Sequence, residues 1–253
     1  MINETALVWM YPASPAGLRG PRCTAIIKWC YGDRDKTPRS QQVDYCMNAL
    51  RISPRYTSLD WQALDSSNPK DWSTAADVIR DRLDGRFLRF ASNCLKAKHS
   101  GFVVLAIDCL LAETIQQFRD GVTNGQGRSE EMVKRFLEGT RFQPDFDAEA
   151  RKAFYQDIRC GLLHQAEAKK MWLIRRRQPG LLQKVTDGQG YIVDVERFHA
   201  GLQGSLNDYL KLISEPANSS IRSNLWKKMN QICSVRTARG ALYEAGGNTA
   251  STQ

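Results

Sequence analysis

Arginine and histidine occur five positions apart in one amphipathic stretch of the chain. The stretch FYQDIRCGLLHQAEAKK places Arg159 among apolar residues and follows it with His164, one of three histidines in 253 residues. A histidine with a pKa near ~6.5 can take a proton from a ribose 2′-hydroxyl or give one to a leaving oxygen. An arginine can hold a phosphate bidentately and stabilise the charge that grows in the transition state. The two residue types therefore suit metal-independent RNA cleavage.

Helix geometry keeps these two side chains apart within one copy. Residues five apart point about 140° away from each other at about 3.6 residues per turn. A symmetric dimer in which two copies of the helix cross would gather both arginines and both histidines in one cleft. Gly161 lies between them and would let another backbone approach closely. The alternative is an Arg159 that extends to the surface and a His164 satisfied in the core or at the surface.

Carboxylates near this stretch are candidates for supporting roles. Asp157 lies seven residues before His164 on nearly the same helical stripe, so it can orient the imidazole or simply face solvent. Asp108 and Glu113 fall in the most apolar helix, where an unpaired carboxylate is costly, so we expect each to meet a partner or a cleft. Glu113 can either reach the region of Arg159 or make a structural hydrogen bond. His99 and His199 have no recognisable partner.

Basic residues cluster from the end of this stretch onward, and no acidic residue lies among them. Six of them lie between 168 and 186 together with Trp172: Lys169, Lys170, Arg175, Arg176, Arg177 and Lys184. Such a segment can lead an RNA backbone toward His164, or it can be an ordinary solvated surface. Five more follow between 221 and 239, with Trp226. This second group is a candidate for phosphate contact or for docking an acidic partner, and the alternative is a loosely packed terminal helix.

Hydrophobic periodicity divides the chain into three parts. Residues 1–59 are rich in Pro, Gly, Ser and Arg and read as an irregular N-terminal extension. Residues 60–216 predict a helical domain, with Ile79, Leu83, Phe87, Phe90 and Cys94 as one stripe and a helix from Asp147 to about Trp172. LLQKVTDGQGYIVDV predicts a β-hairpin around an Asp-Gly turn. Residues 217–253 predict a basic helix and a tail.

The fold class is therefore all-α, a helical bundle with one β-hairpin inserted before its last core helix. The net charge of +9 favours an anionic partner such as RNA, DNA or a membrane surface. Seven widely spread cysteines form no C-x-x-C pair or zinc-like cluster, so we expect no metal, no cofactor and a reduced, cytoplasmic protein. The apolar run FVVLAI is cut by Asp108 and is too short for a membrane span.

Residues 75–213 resemble the HEPN superfamily (higher eukaryote and prokaryote nucleotide-binding domains), helical bundles of four to five helices. The family's hallmark is an arginine followed by four to six residues and a histidine in its third core helix, and Arg159-Cys-Gly-Leu-Leu-His164 matches with four intervening residues. The contexts DIRCGLLHQAE and AIDCLLAETIQQFRDG also resemble bacterial HEPN proteins of toxin–antitoxin and phage-defence loci. Many active members carry Asn, Asp or His directly after the arginine, where this chain has Cys160, a weak donor.

The resemblance implies a homodimeric, metal-independent endoribonuclease that leaves 2′,3′-cyclic phosphate ends. Arg159 and His164 would be its catalytic residues, and an antitoxin or a nucleotidyltransferase its partner. Some members of the superfamily have lost catalysis. The alternative is thus a non-catalytic HEPN-like module that binds nucleic acid or a partner protein.

Overall fold

The computed structural model describes residues 49–185 and 190–246, with side chains described up to residue 234. The described chain is mainly helical. The helices are α1 (Ser58–Gln62), α2 (Asp71–Leu83), α3 (Arg89–Cys94), α4 (Gly101–Asp120), α5 (Ser129–Glu138), α6 (Ala148–Ala153), α7 (Cys160–Gln165), α8 (Val195–Ser214) and α9 (Ser219–Gly246). Two π-helical segments join α2 to α3 (Asp84–Leu88) and α6 to α7 (Phe154–Arg159).

A small sheet accompanies the helices, so the fold is mainly helical and the prediction of a single hairpin is incomplete. Strands β1 (Leu173–Arg175), β2 (Leu182–Lys184) and β3 (Tyr191–Asp194) lie in the order β1-β3-β2. The antiparallel pairing of β2 with β3 is the predicted hairpin, although residues 186–189 of its turn lie outside the described residues. Strand β1, which the sequence did not predict, pairs parallel with β3.

Helix α4 occupies the centre of the bundle. Its side chains Val104, Leu105, Leu111, Ile115 and Phe118 are fully buried, but another side of this apolar helix is exposed, so it is not covered all round. Gly121 ends the helix in a left-handed conformation (φ +63°), which glycine adopts without steric cost. Helix α4 contacts α5, α8 and α9 as well as α7. It therefore lies between the helix that carries His164 and the C-terminal part of the chain.

The folded part extends beyond the predicted limits of 60 and 216. Ile52, within the predicted N-terminal extension, is fully buried, and Arg51 forms a β-bridge with Thr57. Residues 1–48 of that extension lie outside the described residues. At the other end, Leu225, Met229 and Cys233 of α9 are buried in the common core at helical spacing. The C-terminal helix is thus a part of the bundle, and α8 is not its last core helix.

The first π-helical segment changes which side chains face the core. A wider turn adds a residue to the helical repeat, so positions after it rotate relative to an α-helical pattern. Ile79 and Leu83 are buried as the stripe predicts, but Leu88 takes the place of Phe87 and Ala91 that of Phe90. Phe90 is half exposed. The predicted stripe is therefore correct up to Leu83, whereas beyond it Phe87 and Cys94 are only partly buried against the core and Phe90 faces solvent.

The helix that carries Arg159 and His164 ends earlier than predicted. It stops at Gln165, because Ala166 adopts a left-handed conformation (φ 55°) and turns the chain back. The amide of Lys169 then donates to the carbonyl of Asp157 over 2.9 Å. A Cβ atom on Gly161 would lie 2.3 Å from the carbonyl oxygen of Glu167. The backbone that approaches Gly161 is therefore this chain's own returning segment.

Candidate functional site

Arg159 forms an ion pair with Glu113 between the π-helical segment and α4. Its Nη2 donates to Glu113 Oε2 over 2.8 Å and to Ser129 Oγ over 3.2 Å. Ser129 also donates to Glu113 Oε1 over 2.8 Å, so three elements converge on one carboxylate. Both charged side chains are only 14% exposed. Glu113 thus meets the Arg159 region and also makes structural hydrogen bonds, so the two alternatives left open for it occur together, and the arginine does not extend freely into solvent.

The Arg159–Glu113 pair continues into a chain of polar contacts across the bundle. Gln117 lies one turn after Glu113 and donates to its Oε1 over 3.3 Å. The Oε1 of Gln117 accepts from the ammonium of Lys228, on α9, over 3.0 Å. Burial lowers the pKa of Lys228, since the charged form is poorly solvated there. Four side chains thus link the C-terminal helix to the arginine.

Tyr155 and Cys160 complete the surroundings of the guanidinium. The carbon Cζ of Arg159 lies 5.7 Å from the centroid of the Tyr155 ring, within cation–π distance. Burial, and a hydrogen bond with Cys160, raise the pKa of the Tyr155 hydroxyl, which therefore stays protonated near neutral pH. The Nε of Arg159 is buried and has no hydrogen-bond partner among the described residues. This donor is therefore unsatisfied and enclosed by protein, and the small accessible part of the side chain lies elsewhere on it.

His164 lies on the last turn of α7 and is exposed. No described residue makes a hydrogen bond or ion pair with its imidazole. Asp157, which the sequence allowed either to orient this ring or to face solvent, is buried and pairs with the ammonium of Lys170 over 3.1 Å. Neither alternative holds, because the π-helical turn and the returning segment place the carboxylate against residues 169–170. Arg159 and His164 do not pair within one copy, as helix geometry predicts.

The six basic residues predicted to contact RNA fall into two groups. Three are engaged within the protein. Arg176 donates to the carbonyls of Leu95 and Ala97, Lys184 pairs with Glu149 over 3.3 Å, and Lys170 pairs with Asp157. Arg176 therefore stabilises the backbone that follows α3. Arg175, Arg177 and Lys169 have no ion pair among the described residues, and the two arginines are exposed.

Exposed apolar side chains lie close in the fold to the Arg159–His164 helix. Phe102, Val103 and Leu110 are exposed along α4, at spacings that place them on one side of that helix. Leu163, next to His164, is exposed as well. Helices α4 and α7 contact each other, so these exposed apolar residues lie on two adjoining helices, one of which carries the exposed histidine. We call Phe102, Val103, Leu110 and Leu163 the α4–α7 face.

A buried polar network, absent from the sequence-based expectations, involves His199. Its Nδ1 lies 2.9 Å from Asp108 Oδ1 and its Nε2 lies 2.8 Å from Ser92 Oγ. Gln203 Nε2 also donates to Ser92 Oγ over 3.0 Å. The order of contacts is that of a hydrolase triad, but the histidine and the aspartate are sealed in the core. We assign the network to holding α3, α4 and α8 together.

The chain matches no family model, no curated protein and no solved structure. The resemblance to HEPN domains stays a prediction. Among the described helices, α4 has the length and apolar composition of a membrane span, and half of its most apolar window is buried in the bundle. Such burial is ordinary for a core helix.

Proposed function

We propose that the protein is a metal-independent endoribonuclease of HEPN type in which Arg159 and His164 act at a cleft between two copies. The observation that carries the proposal is the state of Arg159. Its guanidinium is fixed by Glu113 and Ser129 through Nη2, and 14% of the side chain remains exposed. A fixed cation that keeps some accessible surface is suited to a phosphate oxygen.

The reaction follows from the chemistry of the two side chains. The imidazole of His164 takes the proton of a ribose 2′-hydroxyl, and the 2′-oxygen attacks the adjacent phosphorus. The bond from phosphorus to the 5′-oxygen breaks, and that oxygen receives a proton from the imidazolium of the second copy. Arg159 stabilises the charge on the phosphate oxygens meanwhile. The products are a 2′,3′-cyclic phosphate and a 5′-hydroxyl.

The α4–α7 face supports the dimer that this reaction needs. Its apolar side chains are exposed on two adjoining helices, with Leu163 next to His164 in the sequence, and exposed apolar surface of this kind marks interaction sites on proteins. Two copies meeting there would bring their histidines close to a common cleft. The exposed Arg175 and Arg177 then supply positive charge for the RNA on either side. A cytoplasmic toxin or phage-defence effector, with an antitoxin or nucleotidyltransferase partner, is the role we infer from the HEPN resemblance.

The second candidate function is a non-catalytic module that binds nucleic acid or a partner protein. The ion pair with Glu113 favours it, because the carboxylate offsets the charge of Arg159 and most of the side chain is buried. The unpaired imidazole of His164 favours it too. In this alternative Arg159 holds α4 against the π-helical segment, and the basic surface alone contacts the ligand.

Cleavage of RNA in the presence of EDTA separates the two functions. We expect the parent to cut RNA and to leave cyclic phosphate ends, and we expect His164→Asn and Arg159→Ala to abolish cleavage. Matched controls are His99→Asn, which changes another exposed histidine, and Arg141→Ala, which breaks another arginine–carboxylate pair. Both controls should cleave like the parent. An inert parent that still retards RNA in a gel supports the binding module, and cleavage that survives both site substitutions contradicts the proposed residues.

A further inference from the structure

An open pocket of about 480 Å³ lies against the first turns of α9, on elements that do not include α7. Its wall includes two tryptophans, two cations and two small polar residues: Trp72, Trp226, Arg222, Lys227, Ser223 and Asn230. No aspartate or glutamate is among the described residues that line it. The volume falls within the range of about 300–1,000 Å³ typical of small-ligand sites.

The aromatic part of the pocket is rigid. The ring of Trp226 packs against that of Trp61 with 4.7 Å between centroids and against that of Trp72 with 5.3 Å. The indole nitrogen of Trp61 donates to Asn230 Oδ1 over 2.8 Å, which fixes the amide beside it. Trp226 itself is only partly buried. A fixed indole with accessible surface is a platform on which a planar ring can stack.

The cations of the pocket are not neutralised. Cζ of Arg222 lies 4.4 Å from the centroid of the Trp72 ring, and its Nε donates to the carbonyl of Ile213 over 2.8 Å. A carbonyl fixes the guanidinium without cancelling its charge. Lys227 is exposed, and neither cation has an ion pair among the described residues. The pocket therefore combines an aromatic platform with two positive charges and no opposing carboxylate.

We propose that this pocket binds one nucleotide of single-stranded RNA, with the base against Trp226 and the adjoining phosphate near Arg222 and Lys227. Base–aromatic stacking beside a basic groove is the general mode by which proteins hold single strands. The Oδ1 of Asn230 is taken by Trp61, so the amide nitrogen remains to donate to the base edge. The choice of RNA as ligand rests on the proposed ribonuclease function, whereas the pocket's chemistry is independent of it.

Binding of a fluorescein-labelled 2′-O-methyl RNA octamer, followed by anisotropy with the full chain, tests the proposal. This probe lacks the 2′-hydroxyl and cannot be cleaved through it, so binding is measured apart from catalysis. We expect Lys227→Glu to weaken binding about fivefold or more and to reduce the slope of log affinity against log salt by about 0.7, one phosphate contact. Ser223→Gln, a larger neutral side chain in the pocket wall, should weaken binding by a similar factor.

Two controls match these substitutions. Lys98→Glu makes the same charge change on an exposed lysine of the loop before α4, and Ser220→Gln makes the same neutral change on an exposed serine of α9 outside the pocket wall. Each should bind within about twofold of the parent, since surface changes away from a contact have small effects. An equal loss in Lys98→Glu reveals unspecific attraction and overturns the pocket. Unchanged binding in Lys227→Glu and Ser223→Gln overturns it as well.

The two proposals fail separately. RNA cleavage by the parent together with normal octamer binding by Lys227→Glu removes the pocket and leaves the ribonuclease. An inert parent whose octamer binding is lost selectively in Lys227→Glu removes the ribonuclease and leaves the pocket.

Discussion

The hydroxyl of Tyr209 is buried on α8 and has no hydrogen-bond partner among the described residues. Burial raises the pKa of Tyr209 far above its usual range, so the group stays neutral. An unpaired buried hydroxyl still costs desolvation free energy. We expect Tyr209→Phe to raise the free energy of unfolding by about 1 kcal/mol in urea denaturation. The partly exposed Tyr56 provides the control, as Tyr56→Phe should change stability by less than about 0.5 kcal/mol. A destabilised Tyr209→Phe variant contradicts this account.

The carboxylate of Asp108 makes stability depend on pH. Burial raises the pKa of Asp108, and the opposing hydrogen bond from His199 is the smaller effect. A group with a raised pKa in the folded chain stabilises it below the unfolded pKa of about 3.9, and this contribution is lost as pH rises through the folded value. The amide of an Asp108→Asn variant has no such proton to lose. The free energy of unfolding of this variant relative to the parent should therefore increase as pH rises above the unfolded pKa of about 3.9, and a difference that does not vary with pH contradicts the prediction.

At the scale of single residues, two contacts could be predicted from the cost of burying an unpaired carboxylate. Glu113 and Asp108 had to find partners because each interrupts an apolar helix, and both did. The partner of Asp108 was not predictable, because His199 lies 91 positions away and Ser92 lies 107 positions from His199. Only the fold brings these three together. Ser129, 30 positions from Arg159, was missed for the same reason. Tyr155 lies four positions before Arg159, and that helical spacing could have indicated the contact.

Helical elements followed their periodicity except where the helix widened. A repeat of about 3.6 residues contains no sign of a π-helical turn, so the sequence placed Phe87 and Phe90 in the core instead of Leu88 and Ala91. The stop at Ala166 was equally hidden, because left-handed helix ends usually carry glycine. Strand β1 was not predictable either, because it is three residues long and no turn sequence marks its ends.

Gly161 tests the tight return of the chain over α7. Alanine there would place Cβ 2.3 Å from the carbonyl oxygen of Glu167, so the returning segment must move. We expect Gly161→Ala to lower the free energy of unfolding by about 1–3 kcal/mol, the usual cost of overpacking. Gly180→Ala is the matched control, since its Cβ would meet Leu182 O at an ordinary 3.7 Å. Equal stabilities of the two variants in urea would show that the segment yields freely.

At the scale of the molecule, the mainly helical bundle was predictable and its extent was not. The stripe Leu225, Met229 and Cys233 has helical spacing, but the basic residues around it suggested a surface helix. In the structure its apolar side enters the core while Lys227 and Arg222 border a pocket. One side of this helix packs in the core and another borders a surface pocket. Composition alone does not show which residues lie on which side.

Association between copies is a property of the whole molecule that the α4–α7 face predicts. A glutamate in an apolar interface is desolvated without a partner, so Val103→Glu and Leu110→Glu should convert a dimer into a monomer. Sedimentation velocity measures this change. Gln62→Glu, which adds the same charge to exposed α1, should leave the dimer intact. A parent that sediments as a monomer at every concentration contradicts the dimer and, with it, the shared cleft.

The row of side chains from Arg159 through Glu113 and Gln117 to Lys228 has a consequence for inheritance. Replacing any one of these residues leaves a charged or amide group of its neighbour buried without a hydrogen-bond partner. Single replacements should therefore lower the free energy of unfolding more than paired ones do. In any lineage that carries this fold, positions 113, 117, 159 and 228 should therefore drift together, and a descendant that abandons the guanidinium should abandon the opposing carboxylate too.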